Sequence, residues 1–114
     1  MPTWFGPSTT TTGIKTANYE TVNGEVVRVD TTAGSWELSP PLNPIRDTSF
    51  GFIFMTTSDN PLILDDPTSM FQISIKAPAE ASPFSIPAEQ GYGAKFIYAD
   101  GIWWITNVTS QKKL

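Results

Sequence analysis

The chain contains no cysteine and no histidine among its 114 residues. The first absence excludes disulfides, thiolate metal sites and thiol catalysis. The second removes the commonest general base and the commonest transition-metal ligand. Charge is scarce too: charged residues make up 16% and the net charge is −4, against a usual charged share of about 25%. Nothing in that balance recommends nucleic acid as a partner. The longest apolar run, around Phe50 to Met55, falls far short of the ~20 residues that span a bilayer. The opening Met-Pro-Thr-Trp-Phe-Gly-Pro lacks the basic and apolar regions of a signal peptide. The expectation is a soluble protein with no membrane partner. Its length suits one domain, able to bury roughly 65% of the surface of its unfolded chain without staples.

Serine, threonine, ten prolines and eight glycines fill the space left by charge, a composition of strands and turns. Residues 1–18 read as an extended N-terminal arm. Pro2 and Pro7 bracket Trp4 and Phe5, and a polar run through Gly13 follows with no period. Residues 19–114 read as the domain. Val26-Val27-Arg28-Val29 and the alternating Ser35-Trp36-Glu37-Leu38-Ser39 are expected to form a hairpin across Asp30 to Gly34, with Asn23-Gly24 a turn before it. Ser49 to Thr57 is a strand apolar on both faces, hence central or at an interface. Ser58-Asp59-Asn60-Pro61 reads as a turn, Leu62 to Leu64 as a short strand, and Met70 to Lys76 as a half-buried one. Phe84 and Ile86 mark a short edge strand. Ala94 to Ala99 and Ile102 to Val108 form a hairpin across Asp100-Gly101, a strong type I′ signal. No helix of ordinary length fits. The fold expected is all-β, a single antiparallel β-sandwich, jelly-roll-like. Its expected core is Trp36, Phe50, Phe52, Phe54, Phe71, Ile73, Ile75, Phe96 and Trp104.

Without His and Cys, catalysis would fall to carboxylates, Lys, Tyr or a Ser/Thr nucleophile. Asp30, Asp47, Asp59, Asp65, Asp66 and Asp100 sit in expected turns, where Asp bonds the nearby backbone. No catalytic residue, cofactor or metal is expected. Asp59, Asn60 and Asp65-Asp66 could offer oxygens to calcium, but their spacing matches no ligand template. Trp103 and Trp104 are neighbours on a strand and so point to opposite faces. With Trp104 inside, Trp103 becomes a subunit contact, a sugar-stacking platform, or a ring shielded by the 77–91 loop. Tyr92 is a second candidate platform. Trp4, Phe5, Ile53, Met55 and Trp103 are the candidate partner-binding residues. The two-sided strand at 50–55 and the paired tryptophans offer more apolar surface than one small sandwich readily hides, and oligomerisation covers such a patch.

One spaced set has a familiar form: Tyr19, Asn23-Gly24-Glu25, Val27, Val29-Asp30-Thr31, Ala33-Gly34-Ser35-Trp36-Glu37-Leu38 and Pro40 to Pro44. It resembles a small β-module of tailed-phage virion proteins, found in fibres and other surface components. Tyr98-Ala99-Asp100-Gly101-Ile102-Trp103 is similar to the Tyr-x-x-Gly-x-Trp hairpin that commonly closes that module. The resemblance spans residues 19–108 and is detailed at its two ends. Where the family often has Gly-Asp after the Pro-rich turn, this chain has Arg46-Asp47. The resemblance implies a non-enzymatic virion structural protein on the outer surface, working as a homotrimer. The expected form is a capsid decoration (cement) protein, with the major capsid protein or another virion protein as partner. The alternative is a short tail-fibre or receptor-binding module, with a glycan as its ligand.

Overall fold

The computed structural model describes residues 10–66, 68–72 and 79–109. These form eleven strands and, among the described residues, no helix: β1 Thr10–Lys15, β2 Tyr19–Glu20, β3 Glu25–Val29, β4 Glu37–Ser39, β5 Ser49–Phe54, β6 Ser58–Leu64, β7 Met70–Phe71, β8 Glu80–Ala81, β9 Phe84–Ala88, β10 Gly93–Ala99 and β11 Ile102–Thr109. They build a seven-stranded sheet in the order β1-β3-β5-β10-β11-β7-β8 and a four-stranded sheet in the order β2-β4-β6-β9. The all-β sandwich expected from the composition is therefore present, but its pairing is mixed. The pairs β1·β3, β3·β5, β2·β4, β4·β6 and β7·β11 are parallel, while β5·β10, β10·β11, β6·β9 and β7·β8 are antiparallel. An antiparallel jelly-roll path does not describe this arrangement.

The cause lies in the connections. From β1 to β6 each strand is followed by one in the other sheet. Next-but-one strands return in the same direction and pair in parallel, so the chain winds as a flat spiral. The expected hairpin of residues 26–39 is one of these crossings: β3 and β4 lie in opposite sheets. Asn23-Gly24 does make a turn, with Gly24 at positive φ and the Glu25 N–H donating to the Val22 carbonyl at 3.1 Å, but it too joins strands of different sheets. Ser58 to Pro61, expected as a turn, opens β6, and Pro61 falls where the β6·β9 register shifts, a position that tolerates a missing N–H. Residues 10–15, expected in the arm, are edge strand β1. Trp4 and Phe5 lie outside the described residues, as do Ile73 and Ile75.

Other expectations hold. β5 is central, flanked by β3 and β10, and β9 is the edge of its sheet. The β10–β11 hairpin turns at Asp100-Gly101, both at positive φ, with Ala99 opposite Ile102, as type I′ geometry requires. Trp36, Phe50, Phe52, Phe54, Phe71 and Phe96 are all buried in the core between the sheets. One expected core residue is misplaced: Trp104 is 38% exposed, and Trp103, expected outside, is fully buried.

The β3–β4 crossing is held by side chains of its own. The Asp30 carboxylate accepts from the Thr32 N–H, the Thr32 hydroxyl and the Thr56 hydroxyl at 2.7–3.1 Å. The Trp36 indole donates to the Asp30 carbonyl at 3.0 Å. Thr31 is fully buried; its carbonyl accepts from Ser58 and Asn60, yet its hydroxyl has no hydrogen-bond partner, alone among the described buried side-chain groups. A buried hydroxyl without a partner costs about 1–3 kcal/mol of desolvation. Replacing it by a methyl group of similar shape removes that cost. Thr31→Val is expected to raise stability by about 1 kcal/mol, read as a higher urea midpoint at unchanged slope. A lowered midpoint would show that the hydroxyl is satisfied in solution.

Candidate interaction surface

Strand directions sort the connections to two ends of the sandwich. β3 and β5 start, and β10 ends, at the same end. β11 and β7 also start there. That end therefore gathers the loops around residues 21–24, 40–48, 65–69 and 99–102. Hydrogen bonds tie them into one unit. The Ser49 N–H donates to Asn23 Oδ1 at 2.9 Å, the Asp47 N–H to the Tyr98 carbonyl at 2.9 Å, and the Met70 N–H to the Gly101 carbonyl at 3.2 Å.

The 40–48 loop is the largest of these. Pro40 and Pro41 are buried and anchor it. Asn43 and Asp47 take positive φ, and the Thr48 hydroxyl accepts from the Ile45 N–H at 3.1 Å. The loop is thus fixed from within while it exposes Leu42 (72%) and Ile45 (74%). On the outer face of the seven-stranded sheet, Met70 pairs with Ile102, and Trp104 shares Ile102's face. Met70 and Trp104 are both exposed, and the Trp104 indole donates to the Ala99 carbonyl at 3.1 Å, which lays the ring back toward the hairpin turn. Val22 is exposed in the 21–24 loop. Most of the large apolar side chains exposed among the described residues therefore collect at this one end. Scattered apolar residues are ordinary on a surface, whereas gathered ones mark contact sites.

The candidates read from the sequence fall elsewhere. Ile53 and Met55 form a small cluster with Val26 on the outer face; Ile53 and Val26 are buried and Met55 is half-buried. Trp103 fills the core. Tyr92 is half-buried, with its ring against Phe52 and Phe54. Leu42 and Ile45 are not among those candidates, Met70 is placed only as the start of a strand, and Trp104 is expected in the core. A signal existed for the first two: apolar residues inside a proline-rich turn have no strand to bury them.

The acids do not converge. Asp59 opens β6 and Asp65-Asp66 follow its end, so the calcium candidates lie at opposite ends of a strand. Among the described residues no group of three carboxylates could hold a metal. At the loop end, Glu20, Pro40, Leu42, Asp65, Asp66 and Thr68 line a hollow of about 110 Å³. The Asp66 carboxylate accepts from the Thr68 N–H at 3.0 Å, the Thr68 hydroxyl at 2.8 Å and the Trp103 indole at 3.1 Å. Partial burial pushes its pKa up, but the bonds from Thr68, Trp103 and Ser69 outweigh this and hold it below the ordinary carboxylate value. Asp30 is lowered as well, first by the Thr32 hydroxyl and then by the Thr32 N–H. Arg46 and Asp100 meet at 3.9 Å, both exposed, and such a pair adds little.

A carboxyl with a lowered folded pKa stabilises the fold above its unfolded value, and that contribution is lost as pH falls through the folded one. Two Asp residues share this sign here. Stability is expected to hold from neutral pH down to about 4, the unfolded Asp value, and to decline below it. Asp66→Asn should lower stability at neutral pH, because one amide oxygen cannot accept from both Thr68 and Trp103, and should flatten the acid decline, because the amide does not titrate. Urea midpoints taken between about pH 5 and pH 2 check this; equal acid slopes in the two proteins would remove Asp66 from the account.

Compared with known proteins, the chain matches no family model and no curated sequence.

Proposed function

We propose that this protein is a non-enzymatic structural component of a virion surface, a capsid decoration protein that binds the outer shell as a homotrimer. The observation that carries the reading is the braced loop end, where Leu42, Ile45, Met70 and Trp104 stand exposed on ordered backbone. Backbone fixed in advance loses little freedom on binding, which favours a standing contact with a large surface. The resemblance of residues 19–108 to phage surface modules supplies the kind of surface. The chemistry agrees with a non-catalytic role: the carboxylates with lowered pKa spend their hydrogen bonds on turns and on the core tryptophan.

A second reading, a fibre-type glycan-binding module, is favoured by one feature, the exposed Trp104 ring on a sheet face. One experiment separates them. Co-sedimentation with capsids stripped of their outer proteins should pellet the native protein. The double variant Leu42→Ser/Ile45→Ser should pellet at least tenfold less while melting at the native temperature. Binding to a glycan array, with no capsid pelleting and with loss of signal in Trp104→Ala, would replace the first reading by the second.

A further inference from the structure

The sandwich has an apolar opening that its described residues leave unfilled. The four-stranded sheet stops at β9, whereas the seven-stranded sheet runs on past β10 to β11, β7 and β8. Under the β9 edge lies a hollow of about 120 Å³, its floor formed by Phe52, Ala94, Phe96 and Ile105, its walls by Ile86 and Tyr92. The Phe52, Ala94 and Phe96 floor is buried, and Ser85 and Pro87 of the exposed β9 edge stand at the rim.

We propose that this hollow receives the ring of Phe5 from a second copy of the chain, with Trp4 laid beside it. Three arguments select this occupant. The first is size: an apolar cavity of about 150 Å³ accepts benzene, so a hollow of about 120 Å³ suits a phenyl ring better than an indole. The second is composition: Trp4 and Phe5 are the only aromatic residues ahead of β1, and Phe5 stands five residues before its first residue, Thr10. The third is reach. Five residues span at most about 17 Å. β1 is the far edge of the sheet from β11, with β3 and β5 between it and β10. Strands are spaced about 4.8 Å apart, so the straight path to β10 already takes about 14 Å and runs through the filled core. A path that avoids the core must rise over the end of the sandwich and descend again, and the roughly 3 Å of chain left over does not allow it. The chain's own arm therefore falls short, and a neighbour's does not face that limit. Each copy then gives an arm and receives one; in the proposed homotrimer this is a head-to-tail contact, which forms a ring where the rotation closes. The inference rests on the oligomeric part of the proposed function and supplies its contact.

The absence of cysteine makes the test clean, since any thiol present is one introduced. Phe5→Cys and Ser85→Cys are prepared separately and mixed in a glutathione redox buffer. A covalent heterodimer is expected at least tenfold faster than when Ser85→Cys is replaced by Ala33→Cys, an exposed position in the β3–β4 crossing. The doubly substituted chain should cross-link between copies, not within one. Without cysteines, Phe5→Ala and a chain lacking residues 1–9 should melt like the native protein at concentrations where all are monomeric, yet associate at least tenfold more weakly in sedimentation equilibrium. Equal rates with Ala33→Cys, an intrachain product, or unchanged association of Phe5→Ala would each overturn the proposal. Capsid pelleting reports separately on the virion reading, so either idea can fail with the other intact.

Discussion

Trp103→Ala is expected to cost about 3–5 kcal/mol, the range for removing a large buried aromatic, whereas Trp104→Ala should cost less than about 1 kcal/mol, as surface substitutions do. The two residues are chemically identical neighbours on one strand, so only their surroundings differ. Trp103 is fully buried; its ring meets Phe50 edge-on at 5.0 Å, Tyr98 at 5.0 Å and Phe71 at 6.5 Å. Its removal empties the centre of the aromatic cluster and also takes from Asp66 one of the donors that hold its charge. Typical domains have about 5–15 kcal/mol of net stability, so this single change could consume a third of it or more. Trp104 makes one hydrogen bond, to the Ala99 carbonyl, on the outer face. Its loss should instead appear in partner binding. Chemical denaturation of both variants checks the pair. A reversed order would mean that β11 is displaced by one residue, because a one-residue slip exchanges the two faces of a strand.

The inward place of Trp103 was legible in the sequence. A two-residue turn at Asp100-Gly101 sets Ala99 opposite Ile102 and hence Tyr98 opposite Trp103. Tyr98 shares a face with Phe96. Placing Phe96 in the core therefore already puts Trp103 there and Trp104 outside; an expectation with Phe96 and Trp104 both inside contradicts its own hairpin. Strand content, the central place of β5 and the type I′ turn were equally readable, since each depends on a few adjacent residues. Sheet membership was not. A loop of Asp, Thr, Ala and Gly closes a hairpin or crosses between sheets with the same turn chemistry. The choice rests on long-range contacts such as Asn60 reaching the Thr31 carbonyl at 3.0 Å. The loop end was hidden for a similar reason. Prolines 40, 41 and 44 mark where a strand stops, but not that loops distant in sequence meet there.

Gly93→Ala should be the most damaging of the small substitutions, at about 1–3 kcal/mol or more, the usual cost of forcing extra volume into a packed site. Gly93 lies opposite Ile53 in the β5·β10 ladder. A Cβ on Gly93 would run into the Phe52 carbonyl oxygen and sit 3.1 Å from Ile53 Cα. Both are backbone atoms of the central strand, so no side chain can swing aside. Gly51 meets the same limit from the facing strand, its Cβ falling 2.8 Å from the Ala94 carbonyl oxygen. Glycine serves here because the two backbones approach closely, not because of an unusual φ. Gly13 provides the control: a Cβ there meets nothing within 4 Å, so Gly13→Ala should be neutral or stabilise slightly through the unfolded chain. The two tight positions are also coupled. One outward shift of β5 from β10 relieves both clashes, so Gly51→Ala/Gly93→Ala should cost less than the two single changes added together. Denaturant midpoints of the four variants test this. A Gly93→Ala protein as stable as the native one would show that the strands stand further apart there. Strict additivity would show that each clash is relieved locally rather than by movement of the strand.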